Sequence, residues 1–319
     1  MSLIERAADI LDSGPESKPT SAAATAAAGI PEADKIERSL RHEAIERAAA
    51  LGPAAASLSS ETLRAADTER TPVLKVDRDR LKQHNIITPE DARTVVSENF
   101  RRIKRHLLDN IANPNAGQKT NLVMITSALP GEGKTFCAVN LAISIAMEMD
   151  RTVLLVDADV ARPSIASVLG IRDTMDKGLM DVLLGPGPDL ASVLYRTDIE
   201  KLRLVPAGNW NARATEVLAS EKMRQLLDDM AYRYHDRVII FDSPPLLAAS
   251  EAAALAARMG QILVVVEAGR TTEGTLKEAL GRIGSENVLG VLLNKGRSSE
   301  AGYYGGYGYG YGYGHSPRA

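Results

Sequence analysis

A chain of 319 residues with 45% hydrophobic content has room for one large domain plus appendages, or two modest ones, around a sizeable core. Aromatic residues make up only 4%, so that core is aliphatic, and a net charge of -3 argues against general nucleic-acid binding, which draws on a basic excess or face. The single cysteine, Cys137, excludes an internal disulfide framework and, with an N-terminus lacking a secretory apolar core, points to a reducing cytoplasm; no apolar run approaches the ~18 residues of a membrane span.

Residues 1–85 are rich in Ala, Ser and Glu, with segments such as PTSAAATAAAGIPEA that offer little to bury, and read mostly as linker. Within them Leu3, Ile4, Ala7, Ile10 and Leu11 recur at helical spacing before Gly14 and Pro15 stop the pattern. That pattern fits a docking helix, or equally a helix that packs on its own domain or frays. A compact region is expected over 86–300, opened by a helix with Thr88 as its cap, Pro89 at its first position and Asp91 completing a capping box.

From Asn121 onward, NLVMIT, TVLLVD, LRLVP, RVIIFD, QILVVVEA and VLGVLLN read as strands, with helices between most of them, including TFCAVNLAISIAMEM and EVLASEKMRQLLDDM. Continuous apolar strands separated by helices predict an α/β fold: a doubly wound, mostly parallel sheet covered on both faces. Ligands bind such sheets at the carboxyl ends of the strands.

SALPGEGKTF stands at the end of the first of these strands. Gly131 and Gly133 let backbone N–H groups turn inward around phosphate oxygens, so that Lys134 reaches the β- and γ-phosphates and the Thr135 hydroxyl ligates magnesium. The phosphate-loop pattern GxxxxGK[ST] calls for glycine at 128, where this chain has Ala128. Asp157 and Asp159 follow the next strand, on one side of it if it continues, so both carboxylates can face one magnesium. Asp242 ends a further buried strand, placed to hold the metal through water; Pro244 and Pro245 then fix the exit of the chain.

In this order, LPGEGKT, VDADVARPS and FDSPP resemble the Walker A, A′ and B motifs of the P-loop ATPases of the MinD/ParA class, and among them most closely the bacterial tyrosine kinases, over about residues 86–314. SENFRRIKRHLL and the tail YYGGYGYGYGYG narrow the likeness to cytoplasmic autokinases of exopolysaccharide systems, especially the exosortase-associated type. The resemblance implies ATP as phosphate donor with Mg²⁺, a nucleotide site formed by Pro130, Gly131, Glu132, Gly133, Lys134, Thr135 and Phe136 with Asp242, and a tail, 301–319, that is substrate for a neighbouring subunit. Tyr303, Tyr304, Tyr307, Tyr309, Tyr311 and Tyr313 would be its phosphoacceptors. Glycine spacing keeps such a segment flexible, although the same composition also describes a sticky low-complexity tail.

Phosphoryl transfer also calls for a carboxylate to take the tyrosine proton. Asp157 is the first candidate and Asp159 the metal binder, or the reverse; Arg162 is placed to assist phosphate or tail binding, and Asn294 either contacts adenine or ends a strand. Glu98, Arg101 and Lys104 resemble the ExxRxxR motif that joins subunits of the family in a ring, with lysine in place of the last arginine. Glu251 is a helix-start acid. The resemblance further implies a separate membrane-embedded chain-length regulator that recruits the chain to the inner face of the cytoplasmic membrane, and a cognate tyrosine phosphatase. Two rivals share the nucleotide site: a positioning ATPase of the MinD/ParA type and a scaffold without kinase chemistry. The five histidines lack metal-ligand spacing, Cys137 reads as core and Trp210 as a loop packing residue.

Overall fold

The computed structural model describes residues 73–90, 94–171, 175–185 and 190–296. The docking helix expected near the N-terminus, Asp91 and the tyrosine tail lie outside them.

The six expected strands are present, joined by two short ones at one edge. They are β1 (Val73–Leu74), β2 (Leu122–Ser127), β3 (Thr152–Asp157), β4 (Tyr195–Thr197), β5 (Leu202–Val205), β6 (Arg237–Asp242), β7 (Gln261–Glu267) and β8 (Val288–Asn294). They form one sheet in the order β1-β4-β5-β3-β6-β2-β7-β8. Every pairing is parallel except β4 with β5. The expected doubly wound fold is therefore the observed one.

Both faces are covered by helices. Alternation along the strands sends Val123, Ile125, Val153, Leu155, Val238 and Ile240 into one core. That core is closed by α1 (Arg78–Gln83), α2 (Val95–Ala112), α3 (Lys134–Ala146) and α4 (Ile165–Leu169). Leu122, Met124, Leu154, Val156, Ile239 and Phe241 enter the opposite core. There they meet α5 (Leu179–Leu184), α6 (Ala214–Leu218), α7 (Glu221–Arg233), α8 (Ser250–Ala256) and α9 (Glu273–Leu280). Strands buried on both faces need no polar alternation, which is why they read as unbroken aliphatic runs.

Three local expectations change. Val73–Gln83 lies in the stretch read as linker, yet Val73 and Leu74 pair with β4 and Leu81 is fully buried. The cap of α2 is Thr94, not Thr88. Ser97 N–H donates to Thr94 Oγ1 at 3.1 Å and Thr94 N–H to Ser97 Oγ at 3.0 Å, a reciprocal capping box. The segment EVLASEKMRQLLDDM is two helices, split where the Ser220 hydroxyl caps α7 by accepting from Met223 N–H.

α3 is the central helix. Its residues from Cys137 to Ala146 are all buried because it is wedged between the sheet and α2. Asn140, buried there with Ser144, is satisfied at both ends of its amide, accepting from Ile87 N–H at 2.8 Å and donating to Phe136 O at 2.9 Å. This fixes the chain leading into α2 against the helix that starts the phosphate loop.

Candidate active site

The carboxyl ends of β2, β3 and β6 meet at one place, and the chain leaving β2 turns there into α3. Gly131 and Gly133 adopt φ of 84° and 97°, left-handed values that a side chain disfavours. A Cβ on Gly133 would also stand 2.1 Å from Asn294 Nδ2. The N-terminus of α3 carries no side-chain cap, a geometry suited to an anion.

Lys134 Nζ lies 2.7 Å from Asp159 Oδ2. Thr135 Oγ1 donates to Asp242 Oδ2 at 2.6 Å and shares a 2.8 Å hydrogen bond with the Ser164 hydroxyl. Asp157 pairs in register with Asp242 across β3 and β6, and its Oδ2 accepts from the N–H groups of Ser164 and Ile165. Oδ1 of Asp157 and Oδ1 of Asp242 are buried without a hydrogen-bond partner.

Three carboxylates against one ammonium make the cluster electron-rich and short of cations. Burial, then the neighbouring Asp242 charge, push Asp157 well above the usual carboxylate range, against the two backbone N–H groups. Burial pushes Asp242 up to about 6, opposed by Lys134 and the Thr135 hydroxyl. For Lys134, burial pulls the ammonium down, but the summed attraction of Asp242, Asp159 and Asp157 outweighs it and leaves the group above its ordinary value. Two orphaned buried carboxylate oxygens beside a loop hydroxyl fit a magnesium ion. Among the described residues no three acidic, His or Cys side chains form a ready-made metal cage.

Other expected residues divide. Glu132 does not offer its carboxylate to a ligand: it is fully buried, accepting from Leu129 N–H at 2.7 Å and from the Thr271 hydroxyl, so it braces the loop from behind. Asn294 donates to Glu132 O at 2.9 Å and borders an open, mainly apolar cavity of about 850 Å³ that includes Phe136, Phe100, Val96 and Leu292. Pro130 and Arg162 are exposed at the rim, and Arg162 N–H donates to Asp159 Oδ1 at 3.2 Å. Glu251 is buried in the first turn of α8.

Glu98 and Arg101 pair with each other on the surface of α2, whereas Lys104 turns inward. It is buried, donates to Ser144 O at 3.1 Å and pairs with Glu148. Trp210 is 75% exposed, so it is not the packing residue its loop suggested. Sequence reasoning missed Ser164, Thr271 and a rim of Glu267, Arg270 and Lys295. Lys295 Nζ donates to Gly131 O at 2.8 Å and meets Glu267 at 3.1 Å, and Arg270 meets the same carboxylate at 3.0 Å. Lys295 holds a φ of 57°, a conformation no sequence pattern announced.

A profile described as an AAA domain matches residues 120–285, just over half of the chain. The tyrosine-protein kinase YwqD of Bacillus subtilis is 31% identical over 73% of this chain and 96% of its own length. The succinoglycan biosynthesis transport protein ExoP of Rhizobium meliloti is 33% identical over 72% of this chain, which spans only 28% of that longer protein. Among solved structures, the BceF tyrosine kinase domain superposes with a TM-score of 0.56 at 25% identity, covering 73% of this chain and 96% of its own. With a kinase matched along nearly its whole length, the family no longer rests on motifs alone: the chain belongs to the bacterial tyrosine-protein kinases.

Proposed function

We propose that this kinase is an autokinase: it transfers the γ-phosphate of ATP to the tail tyrosines Tyr303, Tyr304, Tyr307, Tyr309, Tyr311 and Tyr313 of a neighbouring copy. The observation that carries the reading is the buried constellation of Lys134, Thr135, Asp157, Asp159 and Asp242 at the mouth of the phosphate loop.

The backbone N–H groups between Gly131 and Thr135 cradle the phosphates, and Lys134, charged throughout the neutral range, exchanges Asp159 for the β- and γ-phosphate oxygens. Asn294 and the apolar cavity beside it suit the nucleoside. A bound magnesium ion, held by Thr135 and through the neighbouring aspartates, supplies charge neutralisation on the phosphates. The tyrosine oxygen bonds to the γ-phosphorus as the bond to the β-phosphate oxygen breaks, ADP leaves, and the phenolic proton passes to a carboxylate. Asp157 is the first candidate for that last role, since its Oδ1 has no hydrogen-bond partner of its own. Asp159 then serves Lys134 and the metal.

Glu98 and Arg101, exposed on α2, suit contacts between subunits, and Lys104 supports that helix from inside. The name of ExoP places a relative in polysaccharide biosynthesis and transport. By the same chemistry, this kinase regulates an exopolysaccharide machine through a membrane-embedded partner, with a phosphatase to reset the tail. Mass spectrometry after incubation with Mg·ATP tests the reading. Phosphotyrosine between Tyr303 and Tyr313 is expected, and none in Lys134→Met; ATP hydrolysis without phosphotyrosine would instead favour a positioning ATPase.

A further inference from the structure

Trp210 is the only tryptophan of the chain, and three-quarters of it faces solvent. A large aromatic surface left in water is costly, and on a floppy loop it would fold back onto the nearest apolar wall. This one is held out by its neighbours. On one side, Asn209 Nδ2 donates to Asp181 Oδ1 at 2.9 Å and to Asp176 O at 3.1 Å, while Asn209 N–H reaches Asp181 Oδ2 at 3.3 Å. On the other, Asn211 Oδ1 accepts from Arg213 N–H at 2.8 Å and turns the chain into α6.

The base of the loop is equally fixed. Leu179 and Met180 N–H donate to Pro206 O and Ala207 O at 2.8 and 2.9 Å. Gly178 packs so closely there that a Cβ would stand 2.1 Å from Pro206 O, and Gly208 takes a φ of 85°. The loop leaves β5 directly after Val205, which lies in register with Val156 of β3. Its root is therefore one strand spacing, about 5 Å, from Asp157. A turn pinned at its base thus carries one exposed aromatic ring beyond the end of β5, the strand next to the one that ends at Asp157.

We propose that Trp210 is a specificity-determining residue for the acceptor: its ring is the platform on which a tyrosine of a second copy's tail stacks while an adjacent tyrosine enters the site. The chemistry of the occupant follows from the tail itself. Its tyrosines recur every second residue from Tyr307 to Tyr313, and the glycines between them leave the ring faces open. Aromatic rings stack with offset or edge geometry, and neither needs a unique register, so one platform serves successive tyrosines. This inference rests on the proposed use of the tail as acceptor.

The test uses the full chain with all six tail tyrosines changed to Ser, and a synthetic peptide copying Ala301–Gly314 supplied with Mg·ATP. Trp210→Ala should lower kcat/KM for the peptide by about tenfold, chiefly through KM, while Trp210→Phe stays within about threefold of the parent. Mg·ADP affinity and melting temperature report that Trp210→Ala is folded. Because Trp210 is the sole tryptophan, its fluorescence should change saturably on adding the peptide, and not with a peptide carrying Ser for Tyr. Equal peptide kinetics in the parent and Trp210→Ala, or no fluorescence response at concentrations where the peptide is phosphorylated, would overturn the inference while leaving the autokinase intact. Failure of the parent to phosphorylate any tyrosine would instead strike the proposed function, and the fluorescence titration would then decide the platform alone.

Discussion

Asp242 is a fully buried carboxylate with one oxygen bonded to Thr135 and the other to nothing. Keeping it there destabilises the ligand-free fold and prepares a cation site, a trade common where function needs a charge in a dry place. Asp242→Asn retains an acceptor for Thr135 and removes the charge. The ligand-free variant should melt about 2–4 °C higher, the shift that ~1 kcal/mol produces in a domain of this size, and should lose the further stabilisation that Mg·ADP gives the parent. Scanning calorimetry with and without Mg·ADP reads both. Cys137 makes a second residue-scale case: burial pushes its thiol up to about 12, so a thiol reagent should label the native chain far more slowly than the denatured one. Lys134, Thr135 and Asp242 were legible in the sequence because their chemistry fixes both residue type and spacing. Glu132 and Trp210 were not. The first is claimed by Thr271, 139 residues away, and the second is exposed by hydrogen bonds whose partners lie around Asp181.

At the scale of elements, α2 separates two roles that one motif had joined. Lys104 ties it to the carboxyl end of α3 through Ser144 O and Glu148, while Arg101 stays on the surface paired to Glu98. Removing a buried charged hydrogen-bond donor costs about 1.5–3 kcal/mol, whereas an exposed ion pair contributes about 0–1 kcal/mol. Lys104→Ala should therefore lower the melting temperature by several degrees, and Arg101→Ala should leave it nearly unchanged while weakening assembly measured by light scattering. The phosphate loop has its own brace. Glu132→Ala removes the acceptor shared by Leu129 and Thr271 and should weaken Mg·ATP binding about tenfold in a titration, with Glu132→Gln recovering much of it. Helix positions were readable from apolar spacing, but the start of α2 and the break at Ser220 were not, since each depends on which of several Ser and Thr hydroxyls finds a backbone partner.

For the whole molecule, the doubly wound sheet was legible because strands buried on both faces cannot hide their composition. The short strands β1 and β4 at one end of the sheet were not, at two and three residues too brief to carry a pattern. The order of strands was also silent in the sequence, yet it is what brings Asp157 and Asp242 into register. Each phosphate adds about -1.5 to -2 charges at neutral pH, so filled tails would repel one another and the proposed ring should dissociate. An unchanged oligomeric mass after complete phosphorylation would contradict that. The central claim is transfer between copies, and a mixing experiment meets it directly: a Lys134→Met chain with an intact tail is combined with a chain whose six tail tyrosines are Phe, and Mg·ATP is added. Mass spectrometry should find phosphotyrosine on the Lys134→Met chain between Tyr303 and Tyr313; its absence there, while the unmixed parent chain phosphorylates itself, would contradict transfer between subunits.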